Sequence, residues 1–125
     1  MKTIDYIEGI TKNNRSILSK SITLIESTLL EDKKKSIQLI DYCLKIKQKT
    51  LRIGVSGTPG VGKSTFIEAL GLQLIKDGYK VAVLAIDPSS NISKGSILGD
   101  KTRMQKLSSS TNAFIRPSPS NGILG

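Results

Sequence analysis

Gly57-Thr58-Pro59-Gly60-Val61-Gly62-Lys63-Ser64, followed by Thr65, decides how the rest of the chain is read. The run fits the pattern G-x-x-x-x-G-K-[ST] at every fixed position. Glycines carry no Cβ, so the backbone can turn left-handed and approach a ligand closely. The N–H groups of such a loop point inward and make a concave anion site. The helix that follows adds the positive end of its dipole. Lys63 is expected to supply a point charge to the β- and γ-phosphates of a nucleotide, and the Ser64 hydroxyl a ligand to Mg²⁺. The expected nucleotide-binding residues are therefore Gly57, Thr58, Pro59, Gly60, Val61, Gly62, Lys63, Ser64 and Thr65.

The flanks supply the order that the motif requires, strand, loop, helix. Arg52–Ser56 reads as a short buried strand. Phe66 to Lys76 reads as a helix, with Phe66, Ile67, Leu70, Leu74 and Ile75 apolar and Asp77-Gly78 as its end. Lys80 to Ile86 is a near-continuous apolar run, the pattern of a parallel strand buried on both faces. Strand, helix and strand should make a right-handed crossover. Pro88 stops the second strand and leaves Asp87 at its carboxyl end, on the edge where open α/β sheets bind ligands. Asp87 is expected near Mg²⁺ or the attacking water; its plainer role is an Asx turn or helix cap. Residues 88–103 have no clear period and are long for a connection in a compact domain, which argues for function. Within them Asp100 is a second carboxylate candidate, and Lys101 and Arg103 are candidates to meet phosphate, or else solvated loop charges. Met104–Leu107 reads as a helical turn, and Ala113–Arg116 as a third strand ended by Pro117 and Pro119. The fold class is α/β, a P-loop NTPase with a mostly parallel sheet.

Residues 1–48 read as a helical segment and 49–125 as the nucleotide part. Ile4, Ile7 and Ile10 share one helix face. Asn13 and Asn14 are N-cap candidates for a second helix with the stripe Leu18, Ile22, Ile25 and Leu29. A third helix starts near Glu31-Asp32 and repeats the pattern with Ile37, Ile40 and Leu44. Lys33-Lys34-Lys35 is read as a solvated helix face rather than an interaction tag, and Cys43 as a small core residue.

Composition narrows the chemistry. The chain has no histidine, which excludes histidine general bases and histidine metal ligands, and a single cysteine, which excludes an internal disulfide. No apolar run is long enough to span a membrane. No apolar signal core follows Met1, and with the lone cysteine the expected compartment is the cytoplasm. The net charge of +9 invites a nucleic-acid surface, but aromatics at 4% do not interleave with the basic residues. An exposed lysine coat plus a phosphate site accounts for it, and neither nucleic acid nor membrane is an expected partner.

Beyond the loop, V-A-V-L-A-I-D-P-S-S from Val81, G-S-I-L-G-D-K-T-R-M from Gly95 and N-A-F-I-R-P-S-P from Asn112 complete a longer pattern. Together with G-T-P-G-V-G-K-S-T-F-I-E-A-L from Gly57, they resemble the methylmalonyl-CoA mutase-associated GTPases, G-protein chaperones of adenosylcobalamin-dependent mutases. An older label for such proteins is lysine/arginine/ornithine transport-system kinase or ATPase. The resemblance implies GTP and Mg²⁺ as cofactors, slow GTP hydrolysis, an adenosylcobalamin-dependent mutase as partner, and a homodimer in the intact protein. It implies Lys63, Asp87 and Asp100 as catalytic residues and Ser64, Asp87 and Asp100 around the metal. Ser89 to Arg103 would then be a switch segment, ordered by the γ-phosphate. No N-K-x-D guanine-reading motif occurs in these 125 residues. The resemblance therefore implies an N-terminal fragment of a longer protein, with impaired activity. Competing functions are an ATP-dependent transport-system kinase and a non-enzymatic remnant whose helices bind a partner.

Overall fold

Asn13 and Asn14 illustrate how locally the first half of the chain is determined. In the computed structural model, which describes residues 1–58, 60–87 and 104–119, they divide two tasks. Asn13 takes φ 56°, in the left-handed region, and closes helix α1 (Thr3–Thr11). The N–H of Asn14 reaches Gly9 O at 2.8 Å and that of Asn13 reaches Ile10 O at 3.0 Å, the paired bonds of a Schellman end. Asn14 then caps helix α2 (Arg15–Glu26), accepting from Ile17 N at 3.1 Å. Of the two candidate caps, one terminates a helix and the other starts one.

The chain divides into two compact units, Met1–Arg52 and Ile53–Gly125. The first holds α1, α2 and α3 (Leu30–Lys45). Gly9 is buried where α2 crosses, and a Cβ there would lie 2.4 Å from Ile17 Cγ2. Leu24 and Leu39 form the buried interior with Ser21, whose hydroxyl donates to Ile17 O at 2.8 Å. Thr3 Oγ1 donates to Gln38 Oε1 at 2.9 Å, and Thr11 Oγ1 lies 3.4 Å from Tyr42 Oη, joining α1 to α3.

The inward face of α3 differs from the expected one. Leu39 is fully buried and Tyr42 half-buried, while Ile37 and Leu44 of the expected stripe are 59% and 76% exposed. Ile40, Ile25 and Leu29 are exposed as well. Helix α3 is apolar along two adjacent lines, and the two short helices beside it cover one. Cys43, expected in the core, is exposed beside Leu44; partial desolvation still raises its thiol pKa, favouring the neutral form. Of Lys33-Lys34-Lys35, expected on a solvated face, Lys33 and Lys34 are exposed and Lys35 is half-buried.

The second unit contains α4 (Lys63–Lys76), β1 (Val81–Asp87), α5 (Gln105–Ser108) and β2 (Ala113–Pro119). Gly78, at φ 92°, ends α4, with Tyr79 N donating to Leu74 O at 2.9 Å and Gly78 N to Ile75 O at 3.0 Å. The strands pair in parallel, from Val81 opposite Ala113 to Asp87 opposite Pro119. Met104, Leu107 and Ala113 form the buried core, packed by Ile67, Leu72, Ile75, Val83 and Ile115.

Three features depart from expectation. First, β2 runs through Pro117 to Pro119 instead of ending at Arg116. The bond from Val81 N to Asn112 O at 2.9 Å sets the polarity of the ladder. Even-numbered residues of β2 turn their N–H and C=O groups toward β1, and odd-numbered ones turn them away. Both prolines therefore lack an N–H only on the outer edge, where no bond to β1 is lost. Second, β1 is covered on one face: Leu84 is 62% and Ile86 68% exposed. Third, residues 51–58 form no strand, and Ile53 and Val55 are exposed. Strand geometry is fixed by a hydrogen-bonded neighbour, and among the described residues this segment has none.

Replacing Leu39 by Ala should destabilise the helical unit by about 2–5 kcal/mol, as for a fully buried leucine. Leu44→Ala should stay within about 0.5 kcal/mol. Urea unfolding followed by far-UV circular dichroism distinguishes the two; equal effects would restore the Ile37–Leu44 stripe as the inner face.

Candidate phosphate-binding site

The loop from Gly57 to Gly62 passes directly into α4, with Gly62 as N-cap residue. Gly62 adopts φ 100° and Gly60 φ 79°. At Gly62 no atom of the described residues beyond its chain neighbours lies within 4 Å of a would-be Cβ, so the need for glycine is conformational. An L-residue in that backbone state costs roughly 1–2 kcal/mol. The left-handed step reverses the chain, and Phe66 N donates to Gly62 O at 3.0 Å, closing the first turn. Val61 N donates to Thr58 O at 3.4 Å, closing the loop itself.

Lys63, the first residue of α4, folds back over the loop, and its Nζ donates to Gly57 O. A Cβ at Gly57 would press on Val61 Cγ1 at 3.2 Å and meet the Lys63 stem at 3.5 Å, an ordinary contact. The ammonium is thus held across the loop before any anion arrives. Lys63 and Ser64 are half-buried, whereas Gly57, Thr58, Gly60, Val61, Gly62 and Thr65 are exposed. Pro59 lies outside the described residues. The left-handed glycines, the lysine over the loop and the helix start at Lys63 fit a phosphate chain. Mg²⁺ needs few protein ligands when phosphate oxygens and water complete its shell. Ser64 is the described hydroxyl at that place. Among the described residues no group of three or more His, Cys, Asp or Glu is gathered.

Asp87 is the last residue of β1. Helix α4 is about 21 Å long and β1 about 23 Å. The chain reverses between them within residues 77–80. The carboxyl end of β1 therefore lies at the same end of the unit as the start of α4. Asp87 is in this way brought to the loop's end by topology. Asp100, with Lys101 and Arg103, lies outside the described residues.

Two residues of α4 that the apolar pattern passes over hold this end of the unit together. Glu68 Oε2 accepts from Leu107 N at 3.4 Å. Gly71 is buried, and a Cβ there would lie 2.9 Å from both Leu107 methyl carbons. One signal for Gly71 was present: a glycine inside a helix costs about 1 kcal/mol against alanine and asks for a packing reason.

Comparison with known proteins now adds to this geometry. Residues 18–125 match the family described as methylmalonyl Co-A mutase-associated GTPase MeaB. The chain is similar to the GTPase ArgK of Escherichia coli (strain K12), 51% identical over 97% of this chain and 37% of that protein. It is also similar to the methylmalonic aciduria type A homolog, mitochondrial, of Mus musculus, 46% identical over 94% of this chain and 31% of that protein. Among solved structures, a crystal structure of LAO/AO transport system kinase superposes with a TM-score of 0.75 at 39% identity, over 96% of this chain and 35% of the other. The chain thus spans about a third of the length of the relatives it matches. Its fold class is that of a P-loop NTPase, an α/β unit with a parallel strand pair preceded by helices. The phosphate loop at the head of α4, the family match over residues 18–125 and these relatives agree: the chain belongs to the methylmalonyl Co-A mutase-associated GTPase MeaB family.

Proposed function

We propose that the protein is a GTP-binding and GTP-hydrolysing chaperone-like G protein that assists an adenosylcobalamin-dependent methylmalonyl-CoA mutase. The observation that carries this reading is Lys63 Nζ held on Gly57 O above a loop whose last glycine, at φ 100°, opens α4. The family supplies the nucleotide and the partner class.

In this reading Gly57 to Thr65 surround the phosphates, Pro59 included, and Ser64 ligates Mg²⁺. Bound Mg²⁺ would neutralise charge on the β- and γ-phosphates. Lys63 moves its ammonium from a carbonyl oxygen to a phosphate oxygen, a stronger acceptor. Asp87 and Asp100 orient the metal's water shell and the attacking water. Residues 1–48 form a helical segment and 49–125 the nucleotide part, and the compartment is the cytoplasm. The intact protein would be a homodimer that needs neither nucleic acid nor membrane. Among the described residues no helix is long and apolar enough to cross a membrane. With no N-K-x-D in these 125 residues, guanine preference rests on the family alone. Hydrolysis needs charge stabilisation and a positioned water beyond the loop. The 125 residues by themselves are therefore expected to bind nucleotide weakly and turn over negligibly.

A second reading, phosphoryl transfer to an acceptor, takes its support from the solved neighbour's name, a transport system kinase. Competition with unlabelled GTP and ATP, scored together with transfer of labelled phosphate, separates the two. Guanine preference without a labelled acceptor favours the chaperone reading.

Lys63→Ala should weaken binding of a fluorescent GTP analogue by about 10- to 100-fold, the scale of a charge-assisted hydrogen bond. Equal affinity in both chains would overturn nucleotide binding at this loop. Gly62→Ala should weaken the same binding by about 5- to 30-fold through left-handed strain of roughly 1–2 kcal/mol. Unchanged affinity there would show that the loop does not use this conformation.

A further inference from the structure

Leu30, Ile37 and Leu44 recur at every seventh residue of α3 and are 81%, 59% and 76% exposed. Seven residues are close to two helical turns, so the three side chains form one line, spaced by about 10.5 Å along the axis. Leu39, on the inner side of the helix, is the residue that α1 and α2 cover, and the line faces away from it. Apolar residues at this spacing make the seam by which one helix packs on another. The two flanks of the line differ. Lys34 and Asp41, each four residues beyond a member of the line, lie on one flank. Lys33 and Ile40, each three residues beyond, lie on the other. Among the described residues neither Lys34 nor Asp41 forms an ion pair.

We propose that this face is the docking surface for a second copy of the chain, the two α3 helices crossing antiparallel about Ile37. A two-fold axis at that point makes the contact self-complementary, because each patch meets itself. Ile37 meets Ile37, and Leu30, seven residues before it, meets Leu44 of the second copy, seven residues after it. An antiparallel pair also brings like flanks together. Lys34, three residues before Ile37, then comes beside Asp41 of the second copy, four residues after it, and symmetry makes the pair twice. On the other flank the methylene stem of Lys33 covers Ile40 of the second copy and leaves its ammonium in water. A parallel copy instead sets Lys34 against Lys33, like charge on like. A partner helix with only acidic flanks is repelled at Asp41. The alternation of sign along α3 thus selects an antiparallel copy of α3. The inference goes beyond the nucleotide reading and does not rest on it. One helix face buries less than the roughly 800 Å² per partner of a standard interface, so the association is weak.

Sedimentation equilibrium of the 125-residue chain, from about 10 µM to 1 mM, spans the affinities expected of so small a contact. Wild type should pass from monomer toward dimer as concentration rises. Ile37→Asp should stay monomeric throughout, with unchanged far-UV circular dichroism because Ile37 lies outside the core. Lys34→Glu and Asp41→Lys should each weaken self-association by about fivefold, the scale of two exposed ion pairs. An equimolar mixture of these two variants should recover wild-type affinity, since each cross-pair then again joins opposite charges. A wild-type chain still monomeric at the highest concentration overturns the proposal. So does self-association that Ile37→Asp leaves intact, which places the contact elsewhere. A mixture that associates no better than the separate variants rules out the antiparallel pairing and overturns it too.

Discussion

The contact between Leu107 and the bare backbone of Gly71 is the one on which the nucleotide unit depends. Leu107 is fully buried, and no side chain at position 71 stands between it and α4. Burying a leucine contributes about 1.5–3 kcal/mol, and a glycine within the helix gives back about 1 of that. The balance favours close approach. Because of it, Met104, Leu107 and Ala113 join Ile67, Leu72 and Ile75 of α4 to Val83 and Ile115 of the strands in one core. The helix that presents the phosphate loop is thus tied to the strand pair through a four-residue helix.

At its N-terminus α4 is specified by conformation and not by packing. Gly62 has open space around it among the described residues and still cannot be replaced without strain, because its backbone is left-handed. Gly71 is the converse case, with ordinary helical backbone and no space. The same residue type serves the site in two physically different ways, nine positions apart on one element. Gly57 adds its carbonyl oxygen, on which Lys63 Nζ rests. A site for a polyanion needs all three effects: N–H groups exposed by the turn, a cation preplaced over it, and a core that keeps the helix from shifting.

Much of this was legible in the residues, where local chemistry decides the outcome. The G-x-x-x-x-G-K-S pattern, the helix it opens, Gly78 as that helix's end and the strand, read at Lys80–Ile86 and found at Val81–Asp87, all follow from properties of a few neighbouring residues. The errors arise where neighbours distant in sequence decide. Ile37, Ile40 and Leu44 have helical spacing, but so do Leu39 and Tyr42, and only the crossing of α1 and α2 selects between the two lines. Arg52–Ser56 has strand composition, but a strand exists only with a partner. Pro117 and Pro119 read as terminators because the direction of each backbone N–H is invisible without the ladder. The cap that Glu68 provides joins residues 39 positions apart, and no local pattern announces it.

The polarity of the ladder carries one consequence further. Odd-numbered residues of β2 face away from β1, and two of them, at 117 and 119, are prolines with no N–H to give. That edge cannot template a regular neighbour along its carboxyl half. On β1 the odd-numbered residues face β2, so Ala82, Leu84 and Ile86 turn their N–H and C=O groups to the opposite edge. None of the three is proline, and all three side chains are exposed. Of the two edges, that of β1 is therefore the one able to accept a further strand, and the carboxyl half of β2 is not.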